Sequence, residues 1–301
     1  MDKTLQKTSV RYTLALLCCA LWGSAFPCIK TGYAWLGIET IGSQILFAGY
    51  RFFLAGAMVF VITCALKRKD LKIQPKVIPH VFAMGFFQTT IQYVFFYMGM
   101  ANITGTKGSI INASSSFVSI VIAHFLLKNE RMDRRKLAGC LLGLVGIIVI
   151  NLNGIGGSFS LWGEGMIIIC TITYGACSVY TKVISHLLNP MALTAYQLLF
   201  GGALLILIGF CSGGHIAVFD LKSTLLLIYM ACISAVGFVL WAALLKYNPV
   251  GKVAIFGCSI PVFGVIMSAI ILGESLWSIR NLLALLCVSV GIVIVNAQPR
   301  E

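Results

Sequence analysis

Few residues in this sequence are equipped for chemistry, and nearly all of them lie inside apolar runs. Asn112, Ser115, Ser116 and Ser119 recur at i, i+3, i+4 and i+7, which places them on one face of a helix. Gln88 and Gln92 stand one helical turn apart with Phe96 next on the same face, and Ser259 is a further polar position beside Ile260-Pro261. Amides and hydroxyls in this pattern bind a solute by hydrogen bonds, or they clasp one helix to another; both uses put them on an interior face. Four aromatics, Trp22, Tyr93, Tyr174 and Trp241, fall near the middle of apolar runs, where they stack on an apolar solute or fill a helix contact.

Arg51 is the sharpest single residue, because a guanidinium in the middle of an apolar run needs an anion or a dense shell of acceptors. No Asp or Glu lies equally deep, since Glu39 and Glu164 stand near run ends. Its partners are therefore a solute carboxylate or clustered backbone carbonyls, with a structural role toward neighbouring helices as the other reading. The eleven Cys form no CxxC pair, and His80, His124, His186 and His215 are scattered, so neither a metal nor a cofactor is expected. A phosphate-binding Gly-Lys-Ser/Thr loop is missing, which argues against an ATP-driven pump, and the lack of a deep carboxylate leaves no proton relay to assign.

These residues must be positioned by elements that live in a bilayer. With 59% hydrophobic and 10% charged residues in 301, the chain has too little polar surface to coat a water-soluble globule. The pattern predicts an all-α integral membrane protein with ten spans, at 12–33, 41–66, 77–100, 106–127, 136–152, 162–184, 190–211, 223–246, 251–272 and 281–297. The first is too long for a signal-peptide core and runs directly into the second, so it is expected to remain.

The formal charge of +13 is placed rather than spread. Most Lys and Arg fall on alternate span ends: Lys3, Lys7 and Arg11; the five basic residues of 67–76; the five of 128–136; Lys182; Lys246 and Lys252; Arg300. This bias puts both termini in the cytoplasm and makes nucleic acid an unnecessary partner. Trp162 and Trp277, at span ends, read as interfacial anchors.

The halves of the chain repeat. Gly146-Ile147-Ile148-Val149-Ile150-Asn151 recurs as Gly291-Ile292-Val293-Ile294-Val295-Asn296, Glu130 is matched by Glu274, Lys107 by Lys252, Trp22 by Tyr174, and Arg51 by Gln197. Repeats of five spans, an odd number, enter the membrane with opposite orientation, giving a first repeat over 1–152 and an inverted second over 153–301. Two inverted halves can exchange conformations around one midplane site, so Trp22 and Tyr174 are expected to border a single cavity. Gly139 and Gly143 have the small-xxx-small spacing of close helix packing, and a homodimer through spans 5 and 10 is one use for it.

Ala20-Leu21-Trp22-Gly23, Tyr50-Arg51-Phe52, Leu126-Leu127-Lys128-Asn129-Glu130-Arg131, Ile260-Pro261-Val262 and Ile271-Leu272-Gly273-Glu274 together resemble the EamA-type carriers of the drug/metabolite transporter superfamily, over nearly the whole chain. The first half has Ser116-Phe117 where the second has Ile260-Pro261, so only the second keeps the helix-bending proline. The resemblance implies ten helices and movement of small metabolites, often amino acids or related compounds, across the cytoplasmic membrane. The expected function is a secondary transporter working by alternating access, export before import, without enzymatic activity. The rivals are a channel or non-transporting sensor, which would show no saturable exchange, and an intramembrane lipid-modifying enzyme, which would need clustered Asp, His or Ser at the membrane surface.

Overall fold

The start of each helix follows from the residues that flank it. In the computed structural model, which describes residues 2–102, 111–150, 160–216, 219–272 and 279–296, Asn189 accepts the Met191 amide at 2.9 Å and opens a helix whose first residue, Pro190, has no N–H to leave unpaired. Asp220 accepts the Ser223 amide at 2.8 Å while its own amide donates to the Ser223 hydroxyl at 3.0 Å, a reciprocal cap. The Ser223 hydroxyl and amide hold the Asp220 carboxyl below the usual carboxylate range. Ser160 accepts from Gly163 at 3.1 Å, and Glu164 accepts the Ser160 amide at 2.9 Å, so Glu164 caps its own helix.

Helices fill the described residues: α1 (Thr8–Leu36), α2 (Ile41–Lys67), α3 (78–102), α4 (Ile111–Leu126), α5 (Arg134–Ile150), α6 (Leu161–Ile184), α7 (Pro190–Cys211), α8 (Leu221–Tyr247), α9 (250–272) and α10 (Ile279–Asn296). By length and composition, Thr8–Leu36, Ile41–Leu66, Leu161–Ile184, Pro190–Cys211 and Leu221–Tyr247 can each cross a membrane. Apolar side chains such as Leu66, Phe125, Leu126 and Leu221 point outward, 68–78% exposed, a surface that suits lipid and not water. Lys107, Glu274, Trp277 and Arg300 lie outside the described residues, as do 106–110 of the fourth expected span.

Two helices depart from regular winding. In α3 the stretch Gly85–Ile91 is π-helical, joining Ile78–Met84 to Gln92–Asn102. The Thr90 hydroxyl donates to the Gly85 and Gly201 carbonyls, both at 3.2 Å, binding this loose turn to α7. In α9 the stretch Ile255–Ser259 is a 3₁₀ helix between Val250–Ala254 and Ile260–Leu272. Pro261 has no N–H for the Gly257 carbonyl, and the Ile260 amide takes that carbonyl instead, which tightens the turn.

α2 and α7 pack most intimately, and they are antiparallel. Position 42 lies against 214, 46 against 209, 49 against 206, 53 against 202 and 56 against 199. A Cβ on Gly49, Gly56, Gly202 or Gly209 would stand only 2.4–2.7 Å from a backbone nitrogen of the facing helix, so glycine sets the spacing. α5 and α10 also meet through glycine: a Cβ on Gly139 would stand 2.7 Å from the Gly291 carbonyl oxygen. The small-residue face of α5 is thus occupied within the chain.

Candidate functional site

The breaks in α3 and α9 flank a cavity within the bundle. Gln92 and Tyr93 follow the π turn of α3 directly and Ile260 follows the 3₁₀ turn of α9; all three line the cavity. Trp22, Ala25, Phe26 and Ile29 come from α1, Arg51 from α2, Phe96 from α3, Asn112 and Ser115 from α4, Tyr174 from α6 and Phe238 from α8. About 80 Å³ of the cavity is open to the centre of a water molecule, space for several waters.

Aromatic rings form most of the wall. Trp22 meets Tyr174 edge-to-face at a centroid distance of 6.5 Å, Phe238 at 5.8 Å and Trp241 at 5.1 Å. Phe26 leans on Phe96 at 6.3 Å, and Tyr93 packs against Phe52 at 4.2 Å. Trp22 and Tyr174, paired by the repeat read in the sequence, line one cavity.

Arg51, 3% exposed, supplies the charge. Its Nε donates to the Ser234 hydroxyl at 2.9 Å and to the Met230 carbonyl at 3.2 Å, both on α8. Its guanidinium carbon stands 5.1 Å from the Phe52 ring centre, and Tyr33, Tyr93 and Tyr97 lie within its electrostatic reach. The hydroxyls of Tyr33 and Tyr97 and the Oε1 of Gln92 are buried without a hydrogen-bond partner among the described residues. Asn112 Oδ1 faces Cys170 Sγ at 3.8 Å, a weak contact at most.

Of the residues singled out in the sequence, the structure brings together Trp22, Arg51, Gln92, Tyr93, Phe96, Asn112, Ser115 and Tyr174. Gln88 is buried within the π turn, one turn before Gln92, and does not line the cavity. Ser116 packs against Gly257, Ser119 donates to the Ser115 carbonyl at 2.8 Å, and Ser259 donates to the Phe256 carbonyl at 2.6 Å, so these hydroxyls serve the helices. Trp241 stands behind Trp22 rather than on the wall. Phe26 and Phe238 were not singled out; each lies on the face of a tryptophan that was, Phe26 one turn after Trp22 and Phe238 three residues before Trp241. Among the described residues no group of His, Cys, Asp or Glu is placed to hold a metal.

The end of the bundle that carries most of the basic residues is closed by polar ties. Arg11 reaches Asn248 at 3.4 Å and Asn296 at 3.2 Å, and Lys182 Nζ donates to the carbonyls of Lys246 at 3.2 Å and Asn248 at 2.9 Å. Glu130 accepts the amides of Val250 at 2.7 Å and Gly251 at 3.0 Å. These ties join α1, α6, α8, α9 and α10 and the turn after α4.

Comparisons with known proteins agree with this architecture. The EamA-like transporter family matches at residues 10–152 and again at 161–297. An uncharacterized transporter of Archaeoglobus fulgidus is 26% identical over 293 residues, covering 95% of this chain and 98% of its own. Probable amino-acid metabolite efflux pumps of Salmonella typhimurium and Escherichia coli are each 26% identical, over 87% and 91% of this chain and 87% and 90% of their own. A crystal structure superimposes with a TM-score of 0.82 at 16% identity, over 96% of this chain and 97% of that one, which speaks for the fold alone. A helical bundle around a central cavity, with the family signature in both halves of the chain, makes this chain a member of the EamA-like transporter family, a multi-pass protein of the cytoplasmic membrane.

Proposed function

We propose that the chain is a secondary carrier that moves a small amphipathic metabolite, an amino acid or a related compound, outward across the cytoplasmic membrane by alternating access. The observation that carries this reading is the cavity itself: repeat-equivalent Trp22 and Tyr174 face it together, at the level where α3 and α9 lose regular winding. In this reading all ten helices span the membrane, with both termini in the cytoplasm. The antiparallel run of α2 against α7, equivalent helices of the two repeats, supports an inverted relationship between 1–152 and 153–301. The names of the Salmonella and Escherichia relatives support export and an amino-acid substrate.

The ties through Arg11, Glu130 and Lys182 then close the cytoplasmic side, and the cavity is the substrate site in a form shut on that side. Rocking of the halves opens it to one side at a time.

The test is counterflow in proteoliposomes loaded in turn with amino acids, nucleosides, sugars and polyamines, using wild type and the Asn112→Ala and Trp22→Ala variants. Saturable exchange of one class, weakened in both variants, is the expected result. Flux that never saturates and shows no exchange across the membrane would replace the carrier with a channel.

A further inference from the structure

Resting on the carrier reading above, we infer that the transported molecule carries a carboxylate and that Arg51 receives it, so that the substrate brings the anion this cavity lacks. The argument is one of charge balance. The chain has nine acidic residues, Asp2, Glu39, Asp70, Glu130, Asp133, Glu164, Asp220, Glu274 and Glu301, and sequence position alone keeps all of them away from the middle of the spans. The structure engages five of them at helix ends or turns: Asp70 with Asn189 at 3.0 Å, Glu130 with Val250, Asp133 with the Lys136 amide at 2.7 Å, Glu164 with the Ser160 amide, and Asp220 with Ser223. None of the described residues lining the cavity is acidic, yet one is a buried arginine.

The shell around Arg51 supports its guanidinium without neutralising it. Among the described residues its hydrogen bonds run through Nε alone, to one carbonyl and one hydroxyl of α8. That clip fixes the plane of the guanidinium; the Tyr97 hydroxyl is a further neutral oxygen close to it, and what is still missing is a two-pronged acceptor, which a carboxylate is and an alcohol or carboxamide is not. A buried cation with two neutral acceptors is costly, and the cost falls when a carboxylate arrives. The rest of the cavity says what the carboxylate is attached to. Trp22, Phe26, Phe96 and Phe238 offer ring faces to an apolar body, and Gln92 Oε1, buried without a partner, accepts one donor such as an amino group. The substrate class is thus an amphipathic carboxylate, with an amino group accommodated rather than required.

The test compares acids with molecules of the same shape in which a neutral carboxamide replaces the carboxylate: L-phenylalanine, L-leucine and 3-phenylpropionate against their carboxamides, on purified full-length protein and in proteoliposomes. Two readouts are taken, the ligand-induced rise in melting temperature and saturable counterflow. Wild type is expected to prefer each acid over its amide by about tenfold or more in half-saturating concentration, the scale of a charge-assisted pair of hydrogen bonds. Arg51→Gln should erase the preference, Arg51→Lys should keep part of it, and Ser234→Ala, which leaves the charge but loosens its clip, should reduce it. Amides bound and exchanged as well as acids by wild type would overturn the inference and leave the carrier standing; this arm needs no variant. Acids that stabilise the protein without any exchange would uphold Arg51 as an anion anchor and overturn the carrier. Neither binding nor exchange of any acid would overturn both.

Discussion

The Glu130 carboxylate, in the turn after α4, receives the amide of Val250 at 2.7 Å and so caps α9 from 120 positions away in the chain. Its second oxygen takes the Gly251 amide at 3.0 Å, and Lys182 lies within its electrostatic reach. The first amides of a helix have no partner of their own, and Glu130, 6% exposed, supplies one to two of them. Glu130→Ala leaves both amides unpaired in a closed, dry site, at a cost to the closed form of about 2 kcal/mol, which is roughly thirtyfold in its ratio to the open form. Hydrogen exchange at Val250–Ala254 should accelerate on that scale. Exchange unchanged from wild type would mean that the tie does not hold the cytoplasmic end shut.

Gly237 sets the position of Trp22. A Cβ at Gly237 would stand 2.6 Å from Trp22 Nε1, and the ring can yield only toward the cavity, since Trp241 and Phe238 hold it elsewhere. Overpacking of this kind costs about 1–3 kcal/mol, so Gly237→Ala should weaken substrate binding by roughly ten- to hundredfold while the protein still folds. Gly264→Ala is the control, because nothing there comes closer than 3.7 Å. Equal affinity in the two variants would remove Trp22 from the substrate site.

Much of the frame could be read in the sequence because a bilayer demands long apolar runs. The expected span 190–211 coincides with α7, and 41–66 falls within α2. Trp22 and Tyr174 could be paired in advance because duplication places equivalent residues at one level. The faces of α3 and α4 were harder. Gln88 and Gln92 stand one turn apart on nearly one face whether Gly85–Ile91 winds as an α or a π helix, so spacing could not say that only Gln92 reaches the cavity. Gly201 lets α7 approach this turn: a Cβ there would meet Thr89 Cβ at 2.4 Å, a close approach between distant segments that no local pattern reveals. Ser115 and Ser116 are neighbours with opposite tasks, one on the cavity and one against Gly257, because a helix turns about 100° per residue. The clip on Arg51 comes from Met230 and Ser234, about 180 residues away, and pairing over that distance is a property of packing.

The α2–α7 seam should be the most sensitive helix contact in the protein to small additions. Gly202→Ala drives a Cβ to 2.4 Å from the Phe53 backbone nitrogen and Gly56→Ala to 2.5 Å from that of Leu199. Backbone cannot rotate aside as a side chain can, so each helix must move bodily, at about 1–3 kcal/mol or more. Melting of the detergent-solubilised protein should shift down by several degrees in either variant. Gly143→Ala should leave it unchanged, since the nearest atom there is Cys258 Sγ at 3.4 Å, an ordinary contact. The reverse order of sensitivity would show that the seam tolerates separation and that α5 and α10 hold the bundle.

Trp241 distinguishes a residue that touches substrate from one that supports a residue that does. Its ring lies 5.1 Å from Trp22 and is 4% exposed, and its Nε1 is buried with no hydrogen-bond partner among the described residues. Replacing it by Phe removes an unpaired donor and keeps an aromatic backing, so Trp241→Phe should transport as wild type and melt no lower. Trp241→Ala opens a void behind Trp22, at about 3–5 kcal/mol, and lets that ring leave the wall. Both affinity and stability should then fall together. For Trp22, whose ring is itself the wall, Trp22→Phe keeps part of the surface and Trp22→Ala none, so affinity should fall in steps while stability falls less. If Trp241→Phe lost transport while its melting stayed at the wild-type value, the indole would have to meet the substrate directly, and the cavity would extend past Trp22 in the conformer that binds it.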